Sequence, residues 1–369
     1  GLEISGISGR FATGLRVERL HWADDKTDLA LTDLRLRWQP AELLQGRLVL
    51  STLQAGRVEA RALQPSPEPE PLVMPELDLP LAWFLRDVRI GELHWTPYEG
   101  EAVVLNDMAL VAEGGGAHVA LTTLKLRHAL AALEAQGQLD MRGNWPLSLV
   151  LVAEADGWPA QRVTVEGDLS ALDIRARGPR EWPLEVVVRA NVLPVAPVFE
   201  GGVTWPRWQP PGQDDWRLEA GGLRFSGTTA AGKAELGLAA VPLPGSAMPW
   251  PSGWPRKAEL AGPLTWKLNE DGAVVDVDWR GRFGAMPWTF RAAFDSARLA
   301  ATRVQAQLAE ARLQAAGWPE ARGGLALTLK VPRLERFQSV VAGAVDIDAR
   351  WQGLEQGQGR IGIDARDLR

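Results

Sequence analysis

Leu15-Arg16-Val17-Glu18-Arg19-Leu20-His21-Trp22 and, seven residues on, Leu29-Ala30-Leu31-Thr32-Asp33-Leu34-Arg35-Leu36 share one spacing: apolar-x-apolar-x-x-apolar-x-apolar. Two steps of two are strand periodicity, because successive side chains alternate faces. The central step of three sends the second half to the opposite face unless a bulge or bend absorbs a residue. The spacing returns at Val88, Ile90, Leu93 and Trp95, at Val103, Leu105, Met108 and Leu110, and at Val119, Leu121, Leu124 and Leu126. A truncated copy runs Leu48, Leu50, Leu53. A chain that bends each strand at the same place and keeps one face apolar builds a curved surface with a greasy interior.

The repetition goes beyond spacing. Leu20-His21-Trp22 is echoed by Leu93-His94-Trp95 at an offset of 73 residues. Leu31-Thr32-Asp33-Leu34 is echoed by Leu105-Asn106-Asp107-Met108 at 74, and Leu50-Ser51-Thr52-Leu53 by Leu121-Thr122-Thr123-Leu124 at 71. Collinear matches at a nearly constant offset predict a repeat architecture in which each unit meets mainly its neighbours. The fold expected is all-β: an elongated, repetitive β-groove with one or two short helices.

Segmentation follows from composition. Residues 1–63 read as a first β-repeat, interrupted by Gln39-Pro40-Ala41-Glu42-Leu43-Leu44-Gln45-Gly46, where Pro near the start and Gly past the end punctuate a short helix over 40–45. Leu43 and Leu44 are expected to fold that helix over a rim of the sheet. Residues 64–78 open with Gln64-Pro65-Ser66-Pro67-Glu68-Pro69-Glu70-Pro71, a Pro/Glu linker or loop that favours extended polyproline geometry. Residues 79–136 form the second repeat, its entry at Leu79 to Leu85 reading as helix or strand. Residues 137–369 continue as short alternating strands, with Pro- and Trp-rich loops at 205–216 and 242–255. Thr302 to Ala316 reads as two more strands rather than as a Gln/Ala-rich helix.

Composition narrows function. The net charge of −6 argues against nucleic acid, which requires a basic stripe to displace counterions, and mildly against docking broadly on an anionic membrane surface. No run of about 18 uncharged apolar residues offers a transmembrane helix. Cysteine is absent, which is compatible with an oxidising compartment. Tryptophan outnumbers tyrosine 17 to 1; indole suits positions half in apolar surroundings and half in water, although core filling accounts for any single residue.

Familiar chemical motifs are absent or lack their context. His21 and His94 occupy repeat positions without metal-ligand spacing. Gly357-Gln358-Gly359-Arg360-Ile361-Gly362 matches the letters of a dinucleotide fingerprint, but an alternating strand follows it where a helix is needed. Asp24 with Asp25, and Asp214 with Asp215, fall in turn-like stretches. No nucleophile elbow, phosphate loop or metalloprotease helix occurs. The sequence predicts no enzyme, no metal and no cofactor.

Gly6-Ile7-Ser8-Gly9, Gly14-Leu15-Arg16-Val17, Leu34-Arg35-Leu36-Arg37-Trp38-Gln39-Pro40 and Leu43-Leu44-Gln45-Gly46-Arg47-Leu48 together resemble the periplasmic start of the TamB family. The motif-level resemblance covers residues 1–63, and none is found beyond 137. It implies a long taco-shaped β-groove in the periplasm, anchored to the inner membrane through an N-terminal helix absent from this chain. It also implies an outer-membrane barrel partner of TamA or Bam type, met through a missing C-terminal region, and a role in outer-membrane biogenesis and phospholipid passage.

Two readings of function follow. In the first, Leu15, Val17, Leu20, Trp22, Leu29, Leu31, Leu34, Leu36, Leu48, Leu50, Leu53, Val88, Ile90, Leu93, Val103, Leu105, Met108, Leu110, Val119, Leu121, Leu124 and Leu126 line a groove for phospholipid acyl chains. The same residues packed on one another would instead make a closed core. In the second, open sheet edges template client strands of outer-membrane proteins or autotransporters by β-augmentation.

Overall fold

The computed structural model describes all residues except 66–69, 99, 156–157, 211–214, 244–256, 270–271, 320, 322, 338–340 and 354–357. Strand accounts for 71% of the described residues, so the fold is all-β, an open repetitive sheet of the β-taco kind. The chain divides into two compact units, Gly1–Pro179 with Val187–Pro197, and Arg180–Val186 with Val198–Arg369.

The first unit contains β1 (Leu2–Arg10), β2 (Gly14–Ala23), β3 (Thr27–Trp38), α1 (Pro40–Leu43), β4 (Arg47–Ala62), β5 (Leu79–Thr96), β6 (Val103–Gly116) and β7 (His118–His128). It continues through β8 (Ala131–Asp140), β9 (Leu147–Ala155), β10 (Trp158–Asp168) and β11 (Ala171–Arg177). Each strand pairs with the next, and each of these pairs is antiparallel except β4 with β5, which is parallel. That exception explains the repeat. Three antiparallel strands reverse the chain direction, so a second three-strand unit superimposes on the first only if the connection carries the chain back to its starting end. Residues 63–78 make that return. Their described parts are tied down by Leu63 N–H to Lys26 O (2.7 Å), Leu72 N–H to Leu193 O (2.7 Å) and Leu77 N–H to Met141 O (3.1 Å). Part of the Pro/Glu stretch, 66–69, lies outside the described residues.

The equivalences read from sequence coincide with this register. Asp33 and Asp107 are both left-handed, with φ of 52° and 51°. They belong to one line of irregular positions crossing six strands: Gly6, Glu18, Asp33, Gly56, Gly91 and Asp107. Gly6 takes φ 64° beneath the Glu18 side chain, and a Cβ on Gly91 would stand 2.6 Å from the Gly56 carbonyl oxygen. Here lies the step of three. On β2, β4 and β5 two consecutive exposed residues at this line (Glu18-Arg19, Gly56-Arg57, Gly91-Glu92) separate shielded apolar ones. A second line of register shifts crosses at Arg37/Trp38 on β3, Leu85/Val88 on β5 and Leu121/Leu124 on β7. It takes up the step of three in Leu50 to Leu53 and in Leu121 to Leu124.

The stretch from Leu79 is strand. Leu43 and Leu44 do not fold over the rim: Leu44 is 92% exposed and Leu43 39%. A four-residue helix held beside β4 by Arg47 to Glu42 (2.7 Å) has, among the described residues, no element packed above it to bury them.

β12 (Glu185–Asn191) straddles the division between the units. The second unit holds β13 (Val198–Trp205), β14 (Trp216–Leu218), β15 (Gly221–Thr228), β16 (Ala231–Pro242), β17 (Ala258–Asn269), β18 (Gly272–Phe283) and β19 (Met286–Asp295). β20 (Arg303–Leu308), β21 (Ala311–Gly317), β22 (Leu325–Val331), β23 (Ala344–Gln352) and β24 (Gln358–Arg366) complete it. Pairing is antiparallel throughout, sequential from β15 to β24, with β13 on β15 and β14 on β16. Thr302 to Ala316 is therefore largely strand. Much of the expected loop at 242–255 and part of that at 205–216 lie outside the described residues, as do Asp214 and Gly357; Gln358 onward is β24.

Candidate functional site: one apolar face in each unit

Residues directly opposite in a ladder share a face, so register converts the sequence pattern into surfaces. In the first unit Leu15, Leu36, Leu53, Val88, Leu110, Leu124, Ala135, Leu151, Val163 and Ala176 form one row, each paired with the next. Ten strands contribute and no polar side chain interrupts. Beside it run Trp38, Leu50, Leu85, Ala112, Leu121, Gly137, Leu149, Val165 and Ile174. Leu48, Trp83, Gly114, Val119, Leu139, Leu147, Gly167 and Leu172 make the next row.

Toward the first bend line, Val17 pairs with Ile7 and Leu34, and Ile90 with Ala55 and Met108; Leu126 pairs with Leu133. Across that line come Ile4, Leu20, Leu31, Val58, Leu93 and Leu105, then Leu2, Trp22, Leu29, Ala60, Trp95 and Val103. Leu-His-Trp at 20–22 and at 93–95 thus falls on shared rows. Every residue expected to line a groove belongs to one of these rows.

In the second unit alternation at residues 274–279, 325–329 and 347–350 marks a sheet with one apolar face, but no lining residues are named from it. Phe225, Ala234, Leu264, Val277, Ala292, Val304, Ala315, Leu327, Ala349 and Ile361 are paired in series. Next to them run Phe290, Ala306, Leu313, Leu329, Ile347 and Ile363. A cleft of about 500 Å³ opens on this face between Ala258, Phe283, Trp288, Leu308, Leu313 and Leu329.

Among the described residues no second layer of its own unit covers either face. The protein exposes 23610 Å², whereas two compact domains of half its mass would together expose roughly 17,000 Å². Among the described residues no large side chain is fully buried. A closed core would bury many.

The opposite faces are charged. In the second unit Arg280, Thr289, Gln307, Arg312, Lys330, Asp346 and Asp364 form a wholly polar row. Hydrogen bonds from Arg280 and then Arg291 hold the Asp278 carboxyl below its ordinary range. At strand ends Arg142 does the same for Asp140, the Ser170 hydroxyl for Asp168, and the backbone N–H groups of Lys26 and Thr27 for Asp24. These carboxylates stay ionised and keep water on that side of the sheet. His21 and His94 also lie there, His21 Nε2 2.8 Å from Asp28 and His94 Nε2 3.1 Å from Glu92. Among the described residues no group of His, Asp and Glu could hold a metal ion.

Tryptophan has a role that spacing did not show. Trp83, Trp205, Trp266, Trp288 and Trp351 stand directly opposite Gly114, Gly221, Gly232, Gly281 and Gly359. In each pair an added Cβ would fall within 3 Å of the indole. The ring lies over the gap the glycine leaves, covering backbone that a side chain would otherwise shield. Most of the indole N–H groups reach a carbonyl, as Trp266 does at Thr228 (3.3 Å) and Trp288 at Glu259 (2.9 Å).

An open, one-sided, repetitive sheet with an unbroken apolar face and a charged back defines a groove-type β-protein. Comparison with family models matches residues 60–240 to the TamB N-terminal domain. The chain belongs to the TamB family and carries its N-terminal segment. The match begins about where the motifs read at 1–63 end, and it takes in the second repeat and strands beyond 137 that offered no motif. No curated protein and no solved structure matches the chain. Membership makes the protein periplasmic, inner-membrane-anchored and non-catalytic; no helix among the described residues is long and apolar enough to cross a membrane.

Proposed function

We propose that the apolar face of each unit holds phospholipid acyl chains while head groups stay in water, so that the protein serves lipid passage between the inner and outer membranes. The observation that carries this reading is the ten-strand row from Leu15 to Ala176, free of polar side chains and unroofed. Covering apolar surface contributes about 25 cal/mol per Å², and an acyl chain lying across several rows replaces the missing second layer. A barrel partner of TamA or Bam type at the outer membrane fits the family and the same task.

The test is mass spectrometry of organic extracts from purified protein, normalised to protein and compared with a mock purification. Wild type is expected to carry phospholipid in at least stoichiometric amount. Leu34→Asp and Leu121→Asp each place a charge in a row and are expected to lower that content several-fold while circular dichroism stays strand-like. Unchanged lipid content in folded variants contradicts the reading.

The same apolar rows, with no second layer over them among the described residues, favour a second reading. There the sheet accepts strands of client outer-membrane proteins. Crosslinked adducts with such clients and none with lipid would select it.

A further inference from the structure

The two leucines expected to cover a rim are instead displayed, and they are not alone. Phe11, in the turn between β1 and β2, is 67% exposed, and Leu44, just past α1, is 92% exposed. The two sites are held together. The Phe11 ring meets Trp38 edge-on at 5.1 Å, and the Trp38 indole N–H donates to Phe11 O at 2.6 Å, which pins the turn beside the end of β3. α1 begins two residues after Trp38. Phe11, Leu43 and Leu44 therefore project from one corner of the first unit.

Charge surrounds that corner. Arg10 precedes Phe11, and the Arg37 side chain lies over Gly14 of the same turn, its Cγ 3.0 Å from where a Cβ would stand. Arg35 neighbours Arg16 across the ladder. Arg16 is paired with Asp33 and Arg47 with Glu42, but Arg10, Arg35 and Arg37 have no acidic partner among the described residues. The corner thus joins protruding apolar tips to uncompensated guanidiniums. This is the pattern of an interfacial anchor, in which apolar side chains enter the boundary between head groups and acyl chains while cations meet anionic phosphates.

We propose that this corner docks on an anionic lipid bilayer surface. The occupant is chosen by charge: in a symmetric pair of copies the three unpaired arginines would face their own kind and repel, whereas a dense array of lipid phosphates matches them. The proposal does not rest on acyl chains occupying the rows.

Because the chain has no cysteine, Leu44→Cys gives a single labelling site for an environment-sensitive dye, and Gln305→Cys on the second unit's polar face gives a control. With phosphatidylglycerol vesicles the dye at 44 is expected to brighten several-fold and shift to the blue, with little change at 305 and little response to phosphatidylcholine vesicles. Arg10→Glu with Arg37→Glu is expected to weaken vesicle binding on the order of tenfold or more. Leu34→Asp, which addresses the groove, should leave the signal intact. No change at 44, equal changes at both sites, or brightening without vesicles as the protein self-associates would each overturn the proposal, the last assigning the corner to a second copy.

Discussion

Asp33 shows how much one residue decides. Its left-handed backbone lets Leu31 and Leu34 serve one face despite a separation of three, and Asp107 repeats the device. Aspartate tolerates that conformation because its short polar side chain can bond locally, whereas a β-branched residue does so poorly. Asp33→Val is therefore expected to lower stability by about 1–3 kcal/mol, and Asp33→Gly to leave it unchanged or slightly raised, both measured by urea unfolding. Each variant removes the exposed ion pair with Arg16, itself worth little, so the contrast isolates the backbone. Equal losses would show that the ion pair, and not the bend, matters there. The spacing made this position legible in sequence: a step of three demands a correction, and Asp or Gly supplies it. What sequence alone could not supply was the alignment of Gly6, Glu18, Gly56 and Gly91 with the two aspartates, because that depends on register between strands.

At the scale of elements, the parallel pairing of β4 with β5 and the Trp-over-Gly pairs were both hidden from the sequence, for the same reason. The offset near 73 residues announced a repeat but not its handedness or the route of its connection; a Pro-rich stretch can link strands of either direction. A glycine within a strand announces a gap but not which neighbour fills it. The exposure of Leu43 and Leu44 was misread because a short apolar helix predicts burial only if something packs on it. Gly232 offers the cleanest test of the indole pairs. Its backbone is ordinary, and the three atoms nearest to an added Cβ all belong to Trp266, the closest at 2.1 Å. Gly232→Val is expected to displace that ring, changing tryptophan emission and costing about 1–3 kcal/mol in urea unfolding. Unaltered emission and stability would mean that the pair is incidental.

For the molecule as a whole, the decisive property is the division of chemistry between the two sides of each unit's sheet. Alternation made that division legible in both units, and the structure adds the register that joins the alternating strands into rows. The all-β class and the TamB family follow from the chain; passage of lipid along the rows is the claim at stake. It is tested most directly by photocrosslinking in cells, with a photoreactive amino acid placed singly at Leu36, Leu110 and Leu151 along one row of the first unit and at Arg35, Lys125 and Arg162 on its back. The account predicts phospholipid adducts at all three row positions and none at the other three. Adducts on both sides alike, or on neither while client proteins crosslink, would contradict it.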